Sequence, residues 1–338
     1  MQVEHYTKAA DLPADWEDRI GDNLYMRRAF LEFIESVDKY EKSYHVFRDA
    51  AGKIDTQFML HTKHNYNLTM FAGLKTKLTM HFVHFPLSVA RPGIIYGEAT
   101  RQTVGAWLRN IKGYKMVLNV DAGYRLQGFA RGLTCPRCVL KLKWRSFEAY
   151  MEALRSGYRR RYRRALAKSS SLKMYFLDDN RAFDQRLYAL YEEVFENSRY
   201  KMEKLTTDFF RGAAFKIFVL ADAAGPQGFV QLLPNGKELV FEFVGFNHAN
   251  NHQYDIYIRL LLEIVRYGID HGYETIDFGQ TADEAKLKLG CKYEMLYALV
   301  HHSNWLINRL LHFSARFIEY KPLDDSRFHV FKTDGGDV

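Results

Sequence analysis

The chain has few of the features that cross-link a protein, anchor it or load it with metal. Its three cysteines, Cys135, Cys138 and Cys291, are odd in number and too sparse in 338 residues for a disulfide framework, which fits a reducing compartment. No run of 18 or more apolar residues occurs, so a membrane-spanning helix is not expected. The N-terminus from Met1 to Leu12 is polar and carries no signal-peptide pattern, which points to a cytoplasmic location. Cys135-Pro136-Arg137-Cys138 is half of a zinc pattern with no second pair after it. His248, His252, His301 and His302 form no metal constellation, and no metal cofactor is expected. Neither a Gly-x-Ser-x-Gly elbow nor a phosphate loop is present, which excludes the serine-hydrolase and nucleotide-triphosphatase classes.

What the chain does have is apolar content and positive charge. With 47% hydrophobic and 26% charged residues it has the surface to form packed cores, and its length suggests two domains of roughly 150 residues each. The 25 phenylalanines and 22 tyrosines exceed what a core needs and point to an aromatic-lined cleft. A net charge of +8 favours an anionic partner, with a nucleotide-type cosubstrate, RNA and an acidic membrane surface all left open.

Periodicity predicts mixed α and β structure in the first half: a helix over 24–37, strands near 44–48 and 56–61, alternating material over 78–85, a helix over 101–112 and a strand over 115–120. We place the domain boundary near residue 145, after a strand over 138–144, giving domains 1–145 and 146–338. Ser146 caps a helix whose stripe holds Phe147, Tyr150, Met151, Leu154, Tyr158 and Tyr162, with Gly157 a candidate interruption. A strand (172–177), a helix (183–198) and an antiparallel meander (215–222, 228–234, 238–246) follow. Next come a helix with Leu260, Leu261, Ile264 and Val265 on one face, closed by Gly272, and a strand over 273–278. Thr281 and Glu284 suggest a capping box for a short helix ending at Gly290. A strand (293–301) and a helix (304–318) complete the pattern, an α+β sheet that is open and splayed. Asp121-Ala122-Gly123 after one strand echoes Asp277-Phe278-Gly279 after another, which permits a duplicated domain.

From Ser146 onward the sequence resembles the FemAB-like family of the GNAT acyltransferase superfamily. The resemblance rests on residues 146–169, on Leu205-Thr206-Thr207-Asp208-Phe209-Phe210, and on 257–290, where Lys286 and Gly290 match a K-x-x-x-G pattern after Asp277-Phe278-Gly279. It implies two tandem GNAT-like domains, the first assigned by length and element order. It further implies transfer of an acyl or aminoacyl group to a primary amine on a small molecule or peptide, in a cleft between the domains. The implied donor is acyl-CoA, another acyl thioester or aminoacyl-tRNA. Thioester-using relatives carry a glycine-containing loop where this chain has His248-Ala249-Asn250-Asn251-His252-Gln253, which makes close approach of a pyrophosphate to the backbone harder.

The candidate residues follow from charge, position and that resemblance. Arg159, Arg160, Arg161, Arg163, Arg164 and Lys168 crowd about three helical turns, where an anion relieves their repulsion; a solvated basic face explains them equally well. Arg160, Arg163 and Arg164 are taken as donor or anion ligands. Tyr254 and Tyr257 join them in that role, as does Asp277, which can hold the neighbouring loop. Lys286 is a candidate for stabilising an oxyanion. Glu242, central in the strand 238–246 and on one face with Glu238, is a candidate base for the attacking amine. Tyr293, like Tyr254 and Tyr257, can give a proton to the leaving group, with aromatic packing as its other explanation. Residues 305–318, with Arg309 and Arg316, suit either docking on a sheet or peripheral membrane contact. The competing function is a non-catalytic binder of RNA or an anionic surface that keeps a GNAT-like shell.

Overall fold

The computed structural model describes residues 2–66, 77–86, 90–198 and 204–332; Met1 and the last six residues of the tail lie outside the described residues. The chain divides into two compact units, Met1–Pro136 with Met295–Pro322, and Arg137–Glu294 with Leu323–Val338. Each is a mixed β-sheet flanked by helices, in keeping with tandem GNAT-like α+β domains.

The first unit runs β1 (Val3–Tyr6), α1 (Arg28–Val37), β2 (Glu41–Arg48), β3 (Ile54–Tyr66), β4 (Leu78–Val83), β5 (Ile94–Ile95), α2 (Arg101–Asn110), β6 (Tyr114–Val120) and β7 (Ala130–Leu133). The second holds β8 (Arg137–Lys141), α3 (Phe147–Ala153), α4 (Ser156–Lys168), β9 (Lys173–Phe176), α5 (Gln185–Asn197), α6 (Thr207–Phe210), β10 (Lys216–Asp222), β11 (Gly225–Asn235), β12 (Glu238–Phe246), α7 (His248–Tyr254), α8 (Ile256–Asp270), β13 (Thr275–Asp277), α9 (Asp283–Leu287) and β14 (Lys292–Glu294). β15 (Tyr297–His302) and α10 (Trp305–Ile318) then return to the first unit.

The two sheets repeat one plan. Their strand orders are β1-β2-β3-β4-β6-β15-β7 and β9-β10-β11-β12-β13-β8-β14. In each, four antiparallel strands meet a fifth in parallel, β4 beside β6 and β12 beside β13, and two antiparallel strands complete the sheet. The sixth strand of each is supplied by the other half of the sequence: β7 leads into β8 of the second sheet, and β14 into β15 of the first. The echo between Asp121 and Asp277 is therefore positional. Asp121 follows the parallel fifth strand of its sheet and Asp277 ends that of the other, and each accepts a hydrogen bond from the glycine nitrogen two residues on, at 2.7 Å and 2.8 Å.

Several predicted elements are corrected by these exchanges. The strand placed over 138–144 belongs to the second sheet, and the single strand placed over 293–301 is two strands in different sheets. The terminal helix, assigned to the second domain, packs on β7 and β15 of the first unit. The helix after Ser146 breaks at Leu154-Arg155 rather than at Gly157, because the backbone there pairs with the tail: Arg155 N donates to Val330 O and Lys332 N to Ala153 O, both at 2.9 Å. Such pairing is non-local and leaves no periodic trace in the sequence.

Other elements form where the pattern put them. Ser146 Oγ accepts from Ala149 N at 3.1 Å, the N-cap read from sequence. α8 buries Leu260, Leu261, Ile264 and Val265 against Leu232, Leu239 and Ile276. It stops at Gly272 in the left-handed region, with Tyr273 N bonded to Gly268 O as a Schellman motif requires. At Gly268 a Cβ would stand 2.7 Å from Ile276 Cδ1, so glycine sets how closely α8 approaches the sheet. In the first unit Val104 and Leu108 of α2 pack on Phe47, Phe58, Val83, Val117 and Leu299.

Candidate functional site

α4 forms because Tyr162 and Ala165 bury one face, leaving its arginines on the other. Tyr162 is core, as its spacing suggested, and its hydroxyl donates to Lys288 O at 2.5 Å. Gly157, Arg160, Arg161 and Arg164 fall at i, i+3, i+4 and i+7 and line a hollow of about 380 Å³ with Asp255 and Ile258 at the start of α8. Among the described residues these three arginines make no salt bridge, while nearby Lys168 pairs with Asp255 at 3.3 Å. Arg163 is exposed but does not line the hollow; Arg161, passed over in choosing individual ligands from the run, does. The first turn of α8 adds the positive end of a helix dipole to this wall. The segment His248–Tyr254, where a glycine-containing loop would stand, is helical and capped by Asn247 Oδ1 on Asn250 N at 3.0 Å.

β12 pairs with β13 only from Glu238 to Val240, where β13 ends at Asp277. Beyond that point Glu242 is a bulge, because Gln231 opposes Phe243 and Leu232 opposes Phe241, leaving Glu242 as the extra residue. The alternation that would set Glu238 and Glu242 on one face is thus broken. Phe241 packs with Phe278, while Phe243 turns to Tyr191, Phe209 and Phe210. Glu238 itself is bound by Arg137 at 3.1 Å.

Arg137 also holds Asp277, at 2.9 Å, and Glu294, so Asp277 is engaged by a cation of its own sheet and by Gly279 N. Lys286 is buried, and its Nζ donates to Gln280 O at 2.8 Å across a turn in which Thr281 and Ala282 both have positive φ. The capping box expected there does not form: Ala282 is the N-cap, and Glu284 pairs with Lys288. Burial pulls the Lys286 amine below the usual lysine range against the opposing pull of Cys138, Asp283, Cys291 and Asp277. Burial likewise raises the Cys138 thiol to about 12 and that of Cys291 well above its ordinary value. Tyr293 donates to Asp283 Oδ2 at 2.9 Å, and burial together with that bond keeps its phenol protonated. Tyr257, stacked on Phe246, is shifted the same way by burial. Tyr254 is a partly buried neighbour of the same core.

The residues read from sequence therefore fall into three groups. Arg160 and Arg164 line the hollow; Glu242 is the bulge of β12; Lys286, Asp277, Tyr257 and Tyr293 lie near the buried thiols. The K-x-x-x-G spacing has a structural cause, since Lys286 ties the turn and Gly290, at φ +96°, leaves room for the Phe331 ring, which a Cβ would approach to 2.3 Å. Among the described residues no group of histidine, cysteine, aspartate and glutamate is arranged to hold a metal.

Residues 153–287 match the family described as acetyltransferase (GNAT) domain. No curated protein sequence matches the chain. Among solved structures it is similar to FemX (TM-score 0.56, 9% identity, covering 92% of this chain and 100% of that one). It is also similar to the L-PGS of Bacillus licheniformis (TM-score 0.51, 9% identity, 85% and 91%) and to a tandem GNAT protein from the clavulanic acid biosynthesis pathway (TM-score 0.50, 11% identity, 90% and 99%). At such identities the likeness is one of fold alone.

Proposed function

We propose that the second unit transfers an acyl or aminoacyl group from an activated, anionic donor to a primary amine. The observation that carries this reading is the hollow lined by Arg160, Arg161 and Arg164, three cations that make no salt bridge among the described residues and suit a phosphate-bearing donor. Both donors implied by a GNAT-related fold, acyl-CoA and aminoacyl-tRNA, bear such phosphates. The helical, glycine-free segment His248–Tyr254 favours aminoacyl-tRNA.

In this reading the amine attacks the donor carbonyl beside the bulge of β12. Glu242 takes the proton that the amine sheds as the C–N bond forms. The tetrahedral oxyanion then collapses, breaking the bond to the thioester sulfur or ribose oxygen, and the leaving atom takes up the proton that Glu242 received from the amine. Lys286 acts as a positioning residue through Gln280 O, with Asp277 fixing the adjacent turn through Gly279.

Incubation of the full chain with a panel of acyl-CoA thioesters and charged tRNAs, each with amine acceptors, followed by mass spectrometry, tests the proposal. An N-acylated product is expected with one donor class. Arg161→Gln raises the KM for that donor about tenfold, and Arg163→Gln about twofold or less, because only the first side chain borders the hollow. The reading is overturned if no donor yields product, or if the two variants behave alike. Salt-sensitive RNA binding without turnover would assign the chain to the non-catalytic class.

A further inference from the structure

α10 is firmly seated in the first unit. Asn304 Oδ1 caps it by accepting from Leu306 N at 3.0 Å and Ile307 N at 3.3 Å. Asn308 Nδ2 donates to Gly128 O, and His312 Nε2 bonds the same oxygen, each at 3.1 Å. Glu319 Oε2, just past its end, accepts from Leu133 N at 3.1 Å. A helix tied at both ends is not a fraying terminus, yet its largest apolar side chains face outward. Trp305, Leu306, Leu310, Phe313 and Phe317 are between 54% and 67% exposed. Leu306, Leu310, Phe313 and Phe317 recur at i, i+4, i+7 and i+11, one continuous stripe, with the Phe313 and Phe317 rings 5.7 Å apart. Scattered exposed leucines need no explanation; a contiguous stripe of this size marks an interaction surface.

The chemistry of the stripe selects its partner. From Ser303 to Ile318 the sequence holds no aspartate or glutamate but includes Arg309 and Arg316. Exposed Arg309 stands between Leu306 and Phe313 at spacings of three and four residues, on the border of the stripe. A second copy of the chain would set these cations against their own kind, in a molecule already carrying a net +8. A surface of anionic headgroups over hydrocarbon complements both the rim and the stripe, and Trp305 at one end is the residue type that settles at that boundary. The helix has 14 residues, about 21 Å, too short to cross a bilayer. Among the described residues no helix is long and apolar enough to do so.

We propose that α10 lies in the plane of an anionic lipid surface, with Leu306, Leu310, Phe313 and Phe317 among the acyl chains and Trp305 and Arg309 at the headgroup boundary. The proposal stands apart from the chemistry of the second unit. Sedimentation of the full chain with phosphatidylcholine vesicles, with and without phosphatidylglycerol, tests it. Phosphatidylglycerol should increase the bound fraction about tenfold at low salt, with salt reversing the gain and the tryptophan emission shifting to the blue on binding. The Leu310→Glu/Phe313→Glu variant should bind about tenfold less or weaker still, at an unchanged melting temperature because both side chains are exposed. Arg309→Gln should lose part of the preference for phosphatidylglycerol while keeping the fold. The proposal is overturned if the wild type binds neither vesicle or if the double variant binds like wild type. Self-association in sedimentation velocity that the double variant abolishes, without vesicle binding, would instead give the stripe to a second copy and also overturn it.

Discussion

Lys286 shows how a residue chosen for chemistry can prove to be part of the architecture. Its amine is buried, bonds Gln280 O, and sits in the field of Asp277 and Asp283. Lys286→Met should therefore cost stability, about 3 kcal/mol, by removing the buried positive charge near Asp283 and leaving a left-handed turn without its tie. Denaturant unfolding reads this directly. An unchanged midpoint with lost activity would mean that the side chain serves only the reaction. The arginine run shows what a sequence gives at this scale. Charge, position and the family resemblance single out Arg160, Arg163 and Arg164, but the phase set by buried Tyr162 and Ala165 turns Arg161 toward the hollow and Arg163 about 160° from it around the helix. That phase was already legible in the aromatic stripe. The engagement of Asp277 by Arg137 was not, because the two lie on strands far apart in sequence.

At the scale of elements, what periodicity and capping determine was legible, and what non-local pairing determines was not. α8, its Gly272 stop, the Ser146 cap and the β10–β12 meander stand as read, each being fixed by residues within one segment. The break at Leu154-Arg155, the bulge at Glu242 and the division of 292–302 between two sheets all depend on strands brought from elsewhere. Glycine positions separate the two kinds of constraint experimentally. At Gly157 a Cβ meets nothing within 4 Å and the backbone is helical, so Gly157→Ala should stabilise the protein by about 0.5 kcal/mol. At Gly290 the φ of +96° and the Phe331 ring both oppose a side chain, and Gly290→Ala should destabilise by about 2 kcal/mol or more. Thermal melts of the pair would refute this account if the two shifts had the same sign.

For the whole molecule, the duplicated sheet plan shows how one fold diverged in what it buries. The second sheet's crossing from parallel to antiparallel strands carries buried thiols, acids and Lys286, whereas the first unit buries histidines: His45, His61, His84 and His301. His45 lies among Phe58, Trp107 and His5, with Ser43 Oγ 2.9 Å from its Nε2. Burial, with a smaller push from His5, lowers its pKa to about 3; burial beside Lys115, Arg109, His302 and His312 lowers that of His301 to about 4. Both folded values lie below the 6.5 of an exposed histidine, so between 6.5 and about 4 the unfolded chain binds protons that the folded chain refuses. Stability contributed by these groups is complete above pH 6.5 and falls as the pH drops toward their folded values, at about 1.4 kcal/mol per pH unit for each group. This window lies above the range in which Glu4 and Asp15, held low by Arg48, take up protons. His45→Phe preserves the ring packing and removes one titrating site. Chemical denaturation across pH 7 to 4.5 should show the variant's stability declining more shallowly than that of the wild type, by the slope of about one proton. Parallel curves would mean that His45 is protonated in the folded state within that range, and that the aromatic enclosure of the first sheet is wetter than its burial implies.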